Sequence, residues 1–212
     1  NIVQQTNDFN CLNYTYALAG GGVATADFNN DGLEDIYFTS NQNSNKLYLN
    51  KGNFSFDDIT LSAKVEDKEG WTTGVSIIDI NNDGWQDIYV CKSASLNNNE
   101  LRKNKLFINQ KNNTFKEEAK KWGLDSDGFS MQSYFFDYDK DGDLDMYLVN
   151  HRPDFRNNTK ISSEIQRDIQ EESSDQLFKN EGTHFVKVTS EAGMLNKSWG
   201  LSASIGDFNN DG

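Results

Sequence analysis

Short acidic words recur along the chain: DFNNDGLED at 27–35, DINNDGWQD at 79–87, DYDKDGDLD at 137–145, and DFNNDG at 207–212. Positions 1, 3, 5 and 9 of each complete word carry side-chain oxygens. They are Asp27, Asn29, Asp31 and Asp35; Asp79, Asn81, Asp83 and Asp87; and Asp137, Asp139, Asp141 and Asp145. Residues at 1, 3 and 5 converge on one point when the chain curls tightly, and Gly32, Gly84 and Gly142 at position 6 permit the positive φ that the curl needs. Position 7, held by Leu33, Trp85 or Asp143, would offer a backbone carbonyl, so its side chain is free to vary. A cage of about six to eight hard oxygens suits Ca²⁺, whereas Mg²⁺ takes fewer protein ligands in strict octahedral geometry. The fourth word supplies Asp207, Asn209 and Asp211 but ends before a position-9 carboxylate.

One such word is an ordinary Asx-rich turn. Three in one register, each with Asp at position 9, argue for about three complete calcium sites and a truncated fourth. An EF-hand is excluded, because its loop needs Glu at position 12, and that position is Phe38, Val90 and Leu148. Charge points the same way. The net charge is −13, but fourteen of the 33 acidic residues lie in the words, which leaves 19 against 20 Lys and Arg. The acidity is therefore metal-site charge rather than an acidic tail. Without a cation the crowded carboxylates should destabilise each unit by mutual repulsion.

The elements around the words repeat with them. Eight residues before the first Asp stand Trp71, Phe129 and Trp199, with Ala19 the exception in the first copy, and ten residues after it stand Tyr37, Tyr89 and Tyr147. A second strand-like word follows, LYLN at 47–50, LFIN at 106–109 and LFKN at 177–180, trailed by Phe54 and Phe56, Phe115, and Phe185. Successive units start 52, 58 and 70 residues apart. The extra length falls between the Tyr strand and the Leu strand.

Each unit offers four short strands, GVATADF, DIYFTS, KLYLN and FSFDDIT in the first, with Gly, Asn and Asp clusters as turns. Four strands per unit of this length predict an all-β fold, a β-propeller of four-stranded blades. The expected blades are 20–66, 70–125 and 128–195, with an insertion at 151–175 and the start of a fourth at 198–212. About three and a half blades fall short of a closed ring, so the stretch is expected to belong to a longer chain and a larger propeller. Ile161, Ile165 and Ile169, four apart within the insertion, predict one amphipathic helical stretch packed on the blade.

Composition narrows the function. The acidic balance argues against a nucleic-acid partner, and no apolar run approaches the roughly 20 residues of a membrane span. Cys11 and Cys91 allow one disulfide or two free thiols. His184, beside Phe185 in an expected strand, reads as structural, and His151, at the start of the insertion, is the better site candidate. Trp71 and Trp199 sit at repeat-locked positions and read as core. Trp85 and Trp122 remain as aromatics able to meet a sugar.

The word DxNxDGxxD, followed by D[IM]Y and [LF][YF]xN, resembles the FG-GAP or VCBS repeat, the blade type of the integrin α-subunit propeller. The run GGGVATADFNNDGLEDIYFTSNQNSNKLYLNKG is similar to surface and secreted VCBS-repeat proteins of the cartilage-acidic-protein-like group. The integrin-type words FG and GAP themselves are absent. The resemblance implies calcium in the hairpin loops of one propeller face, a place outside the cytoplasm, and adhesion or recognition as the task. The expectation is a non-enzymatic, extracellular or cell-surface module with structural calcium that binds a protein or glycan partner. The alternatives are the propeller portion of a polysaccharide-active enzyme and an architectural spacer in a larger surface protein.

Overall fold

The computed structural model describes residues 15–95, 98–151, 174–196 and 200–209. They form three four-stranded antiparallel sheets in chain order. The first holds β1 (Val23–Ala26), β2 (Asp35–Phe38), β3 (Lys46–Asn50) and β4 (Phe56–Asp58). The second holds β5 (Trp71–Ile78), β6 (Asp87–Ser93), β7 (Lys105–Asn109) and β8 (Phe115–Glu117). The third holds β9 (Ser130–Phe136), β10 (Asp145–Asn150), β11 (Gln176–Asn180) and β12 (Phe185–Lys187). One register serves all three, with Tyr37 opposite Leu47, Tyr89 opposite Leu106 and Tyr147 opposite Leu177.

The sheets pack face against face. Ala26, Phe28, Tyr37 and Leu47 of the first meet Val75, Ile88, Val90 and Phe107 of the second in one apolar cluster. Tyr89, Cys91, Leu106 and Ile108, on the opposite face of the second sheet, meet Met146, Leu148 and Phe178 of the third in another. The middle sheet is therefore covered on both sides, and every residue of β6 is buried. That is why DIYVC reads as a nearly unbroken apolar run rather than an alternating one.

First strands of successive sheets lie side by side and are stitched together. The Gly22 N–H donates to the Thr73 carbonyl at 3.0 Å, the Thr73 hydroxyl to the Ser130 carbonyl at 2.8 Å, and the Ser76 hydroxyl to the Ser133 carbonyl at 2.7 Å. Radially packed four-stranded blades with adjacent inner strands are a β-propeller architecture.

The repeat tyrosine is held by a polar clip in each sheet. The Tyr37 hydroxyl donates to the Val65 carbonyl and accepts from the Asn45 amide, and Tyr89 does the same with Leu124 and Asn104. Tyr147 donates to the Asp175 carboxylate instead. A phenol buried with its hydroxyl satisfied contributes apolar burial without a stranded polar group.

Short helical turns add to the expected four strands per unit, among them 3-10 turns at Thr15–Leu18 and Asn99–Arg102. One-turn helices, α1 (Thr60–Ala63) and α2 (Ala119–Trp122), follow the outermost strands and end in left-handed caps at Lys64 and Gly123. Trp122 lies on α2 at 8% exposure inside the second core cluster, so it is core rather than a sugar platform. A single helical turn is too short to print a 3.6-residue period in the sequence. Likewise His184 lies in the exposed hairpin turn before β12, not in a strand.

Trp71 is buried as expected, and so is Phe129 at the equivalent position of the third unit, beneath the Arg102 guanidinium at 4.2 Å. Cys91 is a buried free thiol. Cys11, Trp199, Asp211 and Ile161, Ile165 and Ile169 lie outside the described residues. Residues 200–209 carry no strand, although the Ala203 N–H donates to the Tyr134 hydroxyl of β9 at 3.1 Å. Among the described residues no helix is long and apolar enough to cross a membrane.

Candidate metal centre

Each complete acidic word forms the hairpin loop from the first strand of a sheet to the second, and one hydrogen-bond scaffold builds all three. The carboxylate at position 1 turns inward and accepts two backbone N–H groups. Asp27 takes those of Asp31 and Gly32 at 3.0 and 2.7 Å, Asp79 those of Asp83 and Gly84 at 2.9 and 2.7 Å, and Asp137 those of Asp141 and Gly142 at 3.2 and 3.0 Å. Position 5 then accepts the N–H of position 7, Leu33, Trp85 or Asp143. The side chains at 1, 3 and 5 are thereby gathered on the inside of one turn.

The curl requires two left-handed residues. Gly32, Gly84 and Gly142 stand at φ of +86°, +83° and +95°, with open space where a Cβ would project. Position 4 is left-handed as well, at Asn30, Asn82 and Lys140. Asn tolerates that region better than most residues, which accounts for NNDG in two of the three complete words.

Position 9 has a more specific task than a generic ligand. Asp35, Asp87 and Asp145 are all buried, at 0%, 1% and 0% exposure, and both oxygens of each are engaged. One accepts the N–H of position 2, from Phe28 at 2.9 Å, Ile80 at 3.2 Å and Tyr138 at 2.9 Å. The other accepts the N–H of the Asn that ends the third strand, from Asn50 at 2.8 Å, Asn109 at 2.7 Å and Asn180 at 2.8 Å. The side-chain amide of each Asn returns to the carbonyl of position 8, in Glu34, Gln86 and Leu144. The carboxylate thus ties the loop to a strand two places across the sheet. The repeated Asn of LYLN, LFIN and LFKN carried the signal for this partner, although its role does not follow from the words alone.

Burial pushes these carboxyls upward, and the neighbouring loop carboxylates add to the effect against the backbone donors. Asp87 rises to about 7, and Asp35 and Asp145 also rise. A nearby cation favours the ionised form of such a group.

The donor set fits a hard divalent ion. Ligand atoms of Asp137, Asp139 and Asp145 lie within 4.8 Å of one another. A buried oxygen of Asp143 has no hydrogen-bond partner, and a carboxylate oxygen that accepts one N–H keeps a second lone pair for a metal. In the first two loops Asn29 and Asn81 turn their oxygens to the N–H of position 5 and their amides to the carboxylate of position 5. At position 7 Leu33 is exposed and Trp85 and Asp143 are half-buried, three side chains of no common chemistry. Of the fourth word, Asp207 accepts the N–H of Asn209 at 3.3 Å, and both are exposed.

Two links lie beyond what the words suggest. Asn109 reaches across the blade boundary, its amide donating to the Phe28 carbonyl at 2.9 Å, and Asn30 donates to the Gly84 carbonyl at 3.4 Å. The first and second loops therefore share a buried connection from Asp35 through Phe28 and Asn109 to Asp87. Among the described residues no such bond runs from Asn180 to the second loop. Lysines also approach the carboxylates. Lys111 lies 3.3 Å from Asp83 on the rim, and Lys179 pairs with Asp139 and lies 3.5 Å from Asp141.

His151, the histidine nearer to a site in sequence terms, is buried. It contacts the Gly200 carbonyl through Nδ1 at 3.1 Å and the edge of Tyr16 at 4.4 Å. Burial holds its pKa below the usual histidine value.

Four-stranded blades with an acidic hairpin loop between the first and second strands define a propeller of the acidic-loop type. The chain belongs to the FG-GAP-like repeat family, whose model matches residues 27–90 and 93–148. It is similar to cartilage acidic protein 1 of Mus musculus, at 36% identity over 70 residues, which is 33% of this chain and 11% of that protein. The Xenopus tropicalis protein of the same name matches at 36% over 69 residues, 32% of this chain and 11% of its own length. The match thus takes in only about a tenth of either relative.

Proposed function

We propose that this chain is a non-enzymatic recognition module of an extracellular or cell-surface protein, a propeller whose hairpin loops hold structural Ca²⁺ and whose surface binds a protein or glycan partner. The observation that carries the reading is the threefold reuse of one scaffold that gathers oxygens at positions 1, 3 and 5 and pins the loop through position 9. Asp27, Asn29, Asp31 and Asp35 would hold the first ion, with the carbonyl of Leu33. Asp79, Asn81, Asp83 and Asp87 would hold the second with that of Trp85, and Asp137, Asp139, Asp141 and Asp145 the third with that of Asp143.

When bound, calcium supplies compensating charge for a loop that otherwise sets carboxylates against one another. The protein's own part is orientation. Backbone N–H groups fix the position-1 carboxylates, and the buried position-9 carboxylates transmit the loop's geometry to the third strand. The family's usual place outside the cell fits the cation's abundance there, because extracellular modules function with ligand sets of modest affinity.

Calorimetric titration of chelator-stripped protein with Ca²⁺ tests the metal reading. Saturable heat with about three sites supports it, and no heat in the millimolar range removes it. Immobilised glycans and surface-protein extracts, probed with and without Ca²⁺, test recognition. A chain that captures nothing in either condition is a spacer.

A further inference from the structure

The three loops share a scaffold but not a charge pattern. Position 3 is Asn29 and Asn81 in the first two and Asp139 in the third. Across the hairpin, the residue before the closing Asn is Leu49 in β3 and Ile108 in β7, both 6% exposed, and Lys179 in β11. Inside one chain, then, the pair changes together: amide with an aliphatic side chain twice, carboxylate with an ammonium once. The third word carries five Asp against three in the second, and Lys140 lies within it and Lys179 against it.

Geometry joins the exchanged residues. The Lys179 ammonium donates to Asp139 and lies 3.5 Å from Asp141, and the side chains of the three are partly exposed, at 27%, 23% and 39%. Lys111 by comparison lies on the rim at 47% exposure, 3.3 Å from a position-5 carboxylate, in a loop whose position 3 is Asn81. An ammonium fixed on the positions 3 and 5 carboxylates engages two of the donors that a divalent ion in this loop would use.

We propose that Lys179 is a tethered cation of the third loop: it competes with Ca²⁺ for Asp139 and Asp141, and it holds this hairpin together when Ca²⁺ is withdrawn. The inference rests on the calcium reading of the loops. Its consequence is a graded module, in which the first two loops load at lower Ca²⁺ than the third and the third blade depends least on the ion.

The test uses the whole chain and terbium as the probe ion, displaced by Ca²⁺. Tyr138, at position 2 of the third loop, is its sensitiser, where the first two loops have Phe28 and Ile80. A Trp85→Phe background darkens the second loop, and Tyr138→Phe identifies the third-loop signal. Lys179→Met should tighten Ca²⁺ at the third loop by about fivefold, as loss of a partly exposed ion pair predicts, and should lower the melting temperature in excess EDTA. Lys179→Met with Asp139→Asn, which recreates the pattern of the other loops, should restore stability in EDTA. Unchanged or weaker third-loop affinity in Lys179→Met, or an unchanged melting temperature in EDTA, overturns the proposal while calorimetry still counts sites elsewhere. Failure of every loop of the parent chain to bind either ion sinks the calcium reading together with this one.

Discussion

The first and second loops differ from the third less in backbone than in what surrounds the carboxylates. All three use the same acceptors for the same N–H groups. The first two are joined across the blade boundary through Asn109 and Asn30, whereas in the third a strand lysine pairs with the carboxylate at position 3. A repeat can therefore keep the part that folds a loop and vary the charges that line it. The scaffold is made of backbone donors, which any sequence supplies, and of carboxylates at positions 1 and 9, which these words never change. Position 3 and the residue facing it are free to change, provided that they change together.

The largest effect should come from the shared part. Replacing Asp87 by Ala leaves the buried N–H groups of Ile80 and Asn109 without an acceptor and should cost about 2–4 kcal/mol in chemical denaturation. Asp35→Ala and Asp145→Ala should cost similar amounts if the scaffold is equivalent. A large cost at one position and a small one at the others would break the equivalence.

A middle-sized effect should separate the coupled pair from the third loop. Asn109→Ala removes the donor to the Phe28 carbonyl and should cost roughly 1 kcal/mol or more. It should also weaken Ca²⁺ at both the first and second loops in calorimetry, with the third unaffected. Weakening at the second loop alone would mean that the bridge between the blades carries no coupling.

Smallest are the glycines. Gly32→Ala and Gly142→Ala place a Cβ in open space at positive φ, so only backbone strain is added, about 1 kcal/mol each in urea unfolding. Equal costs at the two sites are expected, since the turn is the same with or without Lys179.

Much of this was legible in the residues. The strand words alternate or run apolar according to whether their sheet is covered on one face or two, and the Gly, Asn and Asp clusters mark the loops between them. The carboxylate spacing marks the candidate cation loops for the same reason, because only a tight curl brings positions 1, 3 and 5 together. Other features were hidden by their physics. Trp122 reads as an available aromatic because α2 is one turn long, and its burial depends on contact with Phe185 of the next blade. The position-9 aspartates read as simple ligands because one N–H donor to each comes from a residue 15 to 35 places further along the chain. Lys179 reads as one lysine among many until the register sets it beside Leu49 and Ile108.

The central claim is that bound Ca²⁺ holds these blades together, and thermal unfolding in excess EDTA and in millimolar Ca²⁺ tests it most directly. Two or three sites filled well above their dissociation constants add several kcal/mol, so the melting temperature should rise by at least about 10 °C in Ca²⁺. Superimposable melting curves would contradict the account.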